Sequence, residues 1–229
     1  MDRNLMKMNH DNEKIISFLG KVIASMTHEL RNVFAIINDS TGLLLDILTL
    51  SDPESVVDKE KFESIITKIQ KQINRGINLI DSMNKLAHLT DYPVDSRDMN
   101  QILNLIIILT QRLARQNHIK INIDTSLVPN VNIKTRHIYL LAALFYALQS
   151  SFNILKNGAE ITLKGHSLEE IVEFKIYHRI KDMDPSQFKK LIISTPTWTL
   201  VNQIMTILEG KVYIGETLPE IIIKLKNTE

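Results

Sequence analysis

The chain contains no cysteine, which removes disulfide bonds, thiolate catalysis and cysteine-ligated zinc together. It also lacks a charge bias. Lys and Arg number 27 against 26 Asp and Glu, so bulk charge leaves no footprint for nucleic acid, and no nucleic-acid partner is expected. The apolar run Ile102–Leu109 is too short to span a bilayer, and the polar start Met1–Glu13 carries no apolar signal core. No internal repeat or low-complexity stretch is present. These absences lead to the expectation of a soluble, cytoplasmic chain with no membrane partner. At 44% hydrophobic and 23% charged over 229 residues, the composition suits one or two globular domains rather than a disordered polymer.

What is present begins with a long heptad pattern. Ile16, Leu19, Ile23, Met26, Leu30, Val33, Ile37, Leu44 and Leu48 recur at alternating three-four spacing, which predicts a helix with one apolar stripe. On the polar side of it stands the pentapeptide His28-Glu29-Leu30-Arg31-Asn32. At about 100° per residue, His28 lies roughly 200° from both Met26 and Leu30 and so points away from the stripe. Asn32 lies only about 40° around from His28 and one turn along, and Arg31 about 60° around. Such a histidine is solvated, backed by a rigid core, and free to meet another protein.

A second stripe follows the turn-rich stretch Ser51-Asp52-Pro53-Glu54-Ser55, where Pro53 suits a first helical turn. It runs through Phe62, Ile66, Ile69, Ile73, Ile80, Met83 and Ala87, with Gly76 filling one seam position. Two such helices form an antiparallel hairpin. One hairpin leaves a broad apolar surface wet, so pairing of two into a four-helix bundle, as a homodimer, is expected.

Thr90-Asp91-Tyr92-Pro93-Val94-Asp95 reads as a linker, giving domains 1–92 and 93–229. Beyond it the pattern changes to α/β. Met99–Arg115 predicts a helix, His118–Asp124 a short strand and Thr135–Leu155 a largely buried helix. Strand-like runs follow at Glu160–Gly165 and Ile171–Tyr177, helices near Pro185–Ile193 and Trp198–Leu208, and a hairpin of Lys211–Ile214 with Glu220–Leu225. Helices on one side of a mixed sheet make an α/β sandwich. The remaining histidines (His10, His88, His118, His137, His166 and His178) show no metal-ligand spacing, and no metal or other cofactor is expected.

A helical hairpin bearing His-Glu-Leu-Arg-Asn, followed by an α/β sandwich in this order, resembles the core of two-component sensor histidine kinases over nearly the whole chain from about Glu13. The resemblance implies that His28 accepts the phosphoryl group, that Glu29 is its base partner and that Asn32 places water in the reverse, phosphatase direction. The family often has proline five residues after the histidine; this chain has Val33 there. The second domain departs further. Where the family's metal-binding asparagine segment should lie, the chain reads Tyr146-Ala147-Leu148-Gln149-Ser150-Ser151, with Ser150 near the metal position. The adenine segment should fall at Tyr177-His178-Arg179-Ile180, and the phosphate loop at Thr195-Pro196-Thr197-Trp198-Thr199-Leu200. Neither contains the glycines that let backbone amides approach a phosphate. Three losses together imply a surviving fold without ATP binding, as in kinase-like histidine phosphotransferases that exchange phosphoryl groups with response-regulator receiver domains.

Phosphotransfer through histidine requires an exposed imidazole with one nitrogen free and the other held by an acceptor, for which Glu29 is the expected group. Mg²⁺ and a cation supply most of the transition-state stabilisation, and in a relay both are expected from the receiver domain. Arg31 is placed to neutralise phosphoryl charge, and Phe34 is a candidate contact for a receiver. The alternative readings are a non-catalytic scaffold or inhibitor of a true kinase and, third, an active kinase with an unusual nucleotide site.

Overall fold

The computed structural model describes residues 3–50, 58–124, 131–155, 158–168, 170–180 and 183–227, with side chains from Asn12 onward except at Leu50 and Leu168. The expected turn at Ser51–Ser55 lies outside the described residues. The chain forms two compact units, one of residues 23–85 and one joining residues 1–22 to residues 86–229. Packing accounts for the grouping of the first 22 residues with the larger unit. Residues Ile15, Phe18 and Val22 of the first helix are buried, and Phe18 meets Phe145 edge-on at 5.3 Å and Tyr146 at 6.5 Å between ring centroids. Lys21 caps the cluster, its ammonium 4.8 Å from the Tyr146 ring centroid and 3.4 Å from the Gln149 side-chain oxygen.

The two long helices are α1 (Arg3–Leu50) and α2 (Lys59–Ala87). Within the smaller unit they meet at Glu29–Arg75 and where Val33 packs 3.4 Å from the site a Gly76 Cβ would take. Both contacts lie at similar distances from the connection, as an antiparallel hairpin requires. The rows that pack differ from those expected. Met26 and Val33 are buried, but Ile23 (49% exposed), Ile66, Ile73 and Ile80 face outward, while Ser25, Glu29, Ile65, Leu79 and Ser82 face inward. Each helix carries an apolar arc two residues wide. Periodicity defines that arc, and partner geometry decides which half of it the chain buries.

In the larger unit a single 3-10 turn (His88–Thr90) leads to strand β1 (Asp95–Asp98) and helix α3 (Met99–Gln116), where Asp98 accepts a 3.0 Å cap from the Gln101 amide. Then come β2 (Lys120–Ile123), β3 (Asn132–Thr135), α4 (His137–Ile154), β4 (Glu160–Leu168) and β5 (Ile171–Arg179). The unit ends with α5 (Pro185–Ile193), α6 (Pro196–Ile207), β6 (Lys211–Ile214) and β7 (Glu220–Lys226). Five strands form one mixed sheet in the order β2-β4-β5-β7-β6, with β2 and β4 parallel and the rest antiparallel. The α/β layer expected from the sequence is thus present. β1 pairs with β3 in a separate two-stranded ribbon, so the end of the expected linker is a strand.

One sheet face carries Ile161, Leu163, Val172, Phe174, Ile176, Ile221, Ile223 and Leu225, all buried. Against this face the core is completed by α3, by α4 and by Val201, Ile204 and Met205 of α6, buried as well. Helix α4 is buried almost all round, from Leu140 to Leu148, because it lies between other elements rather than at the surface. At Gly165 a Cβ would collide with the Met99 side chain, so glycine lets α3 approach the sheet there. No helix among the described residues is long and apolar enough to cross a membrane.

Replacing Phe18 by Ala removes a fully buried ring from the larger unit. The expected loss is about 3–5 kcal/mol of unfolding free energy, read by urea denaturation followed through Trp198. A loss under about 1 kcal/mol would place residues 12–22 outside that core.

Candidate functional site

His28 is exposed on α1, on the side facing away from the hairpin's buried seam. The Asn32 side-chain amide nitrogen lies 3.4 Å from its Nδ1, the contact that an i, i+4 pair on one helix face makes. Arg31 is exposed as well, so His28, Arg31 and Asn32 form one solvent-facing cluster, with Nε2 directed away from the Asn32 contact. Phe34 is 63% exposed. Glu29 is the group expected to hold the second ring nitrogen, but the contact at His28 Nδ1 is made by Asn32 and Glu29 is bound by Arg75. The Glu29 side chain is 8% exposed and turned into the interhelical seam, and the Arg75 guanidinium is itself 31% exposed. Consecutive residues diverge by about 100° around a helix, which is why one faces water and the next faces α2. A buried carboxylate needs a cation, and α2 provides it. Arg75 did not emerge from the sequence reading. The available signal was a basic residue beside Gly76 in the seam of α2.

In the larger unit the three segments expected at a nucleotide site come together as a closed, mutually bonded core. The Ser150 hydroxyl lies 2.6 Å from that of Thr197, tying α4 to the first turn of α6. Ser151 Oγ lies 2.7 Å from His178 Nε2, and His178 Nδ1 lies 2.9 Å from the Pro219 carbonyl oxygen. A carbonyl only accepts, so Nδ1 carries the proton, and Nε2 accepts from Ser151. The His178 ring tilts against Phe188 at 4.6 Å between centroids. Ser150, Ser151, His178, Thr195, Thr197 and Trp198 are all buried. Only Ser194 and Thr195 separate α5 from α6. Thr195, at the N-terminal end of α6, turns its hydroxyl back to the Ile192 carbonyl at 2.7 Å.

Burial pushes the His178 pKa down to about 4, the Pro219 hydrogen bond opposing it in part. Among the other histidines, His88 pairs with Asp91 at 2.8 Å on the surface, and His137 is buried with Nε2 3.0 Å from the Asp95 carbonyl oxygen. Among the described residues no group of three or more His, Asp or Glu is arranged to hold a metal ion. A cleft of about 590 Å³ lies at the β6 edge, between α5, α6 and the β6–β7 hairpin, lined in part by Trp198 and Glu220, the chain neighbours of Thr197 and Pro219.

No protein-family model matches the sequence, and no curated protein matches it. Solved structures do. The catalytic domain of histidine kinase ThkA is 13% identical, the match covering 60% of this chain and 99% of that domain at a TM-score of 0.50. A bacterial phosphotransferase is 11% identical over 91% of this chain and 95% of its own, at 0.52. ThkA in complex with the response regulator protein TrrA is 16% identical over 98% of this chain and 66% of that one, at 0.49. The first two matches are likenesses of fold.

The buried neutral His178 makes the larger unit acid-sensitive. Its folded pKa is depressed, so its contribution to stability is complete above the unfolded value near 6.5 and is lost as pH falls towards 4. The expected loss across that window is about 3 kcal/mol in the urea unfolding free energy. His178→Gln should flatten the slope between pH 6.5 and 4, and equal slopes for both proteins would contradict the burial of a neutral ring.

Proposed function

From the premise of a histidine-kinase-like fold, we propose that this protein is a histidine phosphotransferase of a bacterial phosphorelay. It carries the phosphoryl group on His28 and exchanges it with receiver-domain aspartates. The observation that carries this reading is the exposed His28 imidazole with the Asn32 amide at its Nδ1. A half-turn of that amide presents its oxygen to the ring, so that Nδ1–H donates and Nε2 keeps its lone pair. Nε2 then attacks the phosphorus of an aspartyl phosphate. The N–P bond forms as the O–P bond breaks, and the electron pair leaves on the aspartate oxygen to restore its carboxylate. The Nδ1 proton stays in place throughout. Mg²⁺ and a lysine-like cation come from the receiver, and Arg31 offers a further positive charge beside the phosphoryl oxygens.

The absence of ATP chemistry in this reading is supported by the bonded core described above. Seating a nucleotide would require breaking Ser150–Thr197 and Ser151–His178 and leaving buried polar groups without partners, at about 1–3 kcal/mol each. It would also require displacing Trp198, with no glycine in that segment to let backbone amides reach a phosphate. With labelled ATP alone, the protein should stay unlabelled, and self-labelling on His28 would overturn the proposal. With a phosphorylated receiver domain, acid-labile label should appear on the wild type and be missing from His28→Ala. If neither protein takes label, the chain is a scaffold.

The second part of the reading is a homodimer built on a four-helix bundle. Its support is the outward apolar side chains Ile23, Leu48, Ile66, Ile73, Ile77 and Ile80, each more than one-third exposed in the single chain. Soluble proteins rarely leave so many large apolar side chains of one hairpin in water, and a second hairpin would bury them. Sedimentation at micromolar concentration should give twice the chain mass of 26.3 kDa; a monomer there would contradict it.

A further inference from the structure

We infer that Arg75 is a positioning residue for the phosphoryl carrier, acting through Glu29; this rests on the phosphotransfer reading of His28. Glu29 follows His28 directly in α1, and its carboxylate is drawn into the seam by the guanidinium that Arg75 extends from α2. The approach of the two helices at this level is set by Gly76, next to Arg75, and Val33, one turn beyond Glu29. The His28 turn is thereby held from two directions: Asn32 contacts the ring along α1, and Arg75 fixes the following residue across the hairpin.

The chemistry of burial decides what happens when the cation is lost. Without the guanidinium, a carboxylate with 8% of its side chain exposed loses the charge that draws it across the seam. The turn that carries the imidazole is then no longer tied to α2 by this pair. That release misaligns an in-line attack that depends on near-ångström placement. The role differs from that of Arg31, whose side chain is on the exposed side.

The experiment uses the full chain and a phosphorylated receiver domain. Arg75→Ala should lower the transfer rate at saturating receiver at least tenfold, while the half-saturating receiver concentration stays within twofold. Arg75→Lys should keep the rate within threefold of wild type. The exchange Glu29→Arg with Arg75→Glu restores an ion pair across the seam but moves the carboxylate to α2. It should recover the melting temperature and leave transfer at least tenfold slow. Wild-type transfer by Arg75→Ala, or recovery of both stability and transfer by the exchange, would overturn the inference by reducing the pair to a helix tie. A wild-type protein that takes no label overturns instead the phosphotransfer reading itself.

Discussion

The geometry of the hairpin rests on one ion pair in a seam that is otherwise mostly apolar or small. Glu29 and Arg75 are charged groups at the point where two helices could have met through leucine. Such a pair adds little net stability, because desolvation cancels most of the attraction. Its effect is on register. A carboxylate with one acceptable position makes every slip or rotation of α1 against α2 costly. Once that face is turned inward, the residue before it must face water. The exposure of His28 is therefore a consequence of where Glu29 goes, and the imidazole needs no special device of its own.

The larger unit handles buried polar groups in another way. There, polar side chains are buried and satisfy one another: hydroxyl to hydroxyl between Ser150 and Thr197, hydroxyl to imidazole to carbonyl through Ser151, His178 and Pro219. A network with its partners supplied internally costs the fold little, whereas opening it is expensive. The Ser150, Ser151, His178 and Thr197 side chains are thus part of the core. The two clusters differ in kind, the one at His28 facing solvent and this one buried.

Much of this was legible from the residues. The three-four spacing gave both long helices, and the alternation in Glu160–Gly165 and Ile171–Tyr177 gave the central strands, which in the structure run on to Leu168 and Arg179. Lys211–Ile214 is a strand over the same residues as expected. What the sequence concealed was set by long-range partners. Ile15, Phe18 and Val22 bury while Ile16 faces out, a choice made by Phe145 and Tyr146 more than a hundred residues away. Strand β1 has the sequence Asp-Ser-Arg-Asp, which carries no strand propensity and exists because β3 pairs with it. At the candidate site, the outward position of His28 and its proximity to Asn32 followed from helix angles alone. The inward turn of Glu29 did not, because a glutamate at that angle reads as surface charge until its arginine is known.

The corner between α5 and α6 bears on how the larger unit behaves in time. Each of these helices opens on a proline, Pro185 and Pro196, and only Ser194 and Thr195 join them. Proline at a first helical position restricts the unfolded chain as much as the folded one, and a two-residue joint leaves almost no loop-closure entropy to overcome. A segment that must open and shut around a substrate is built with slack. This one is built stiff, so the corner between the two helices holds a single shape.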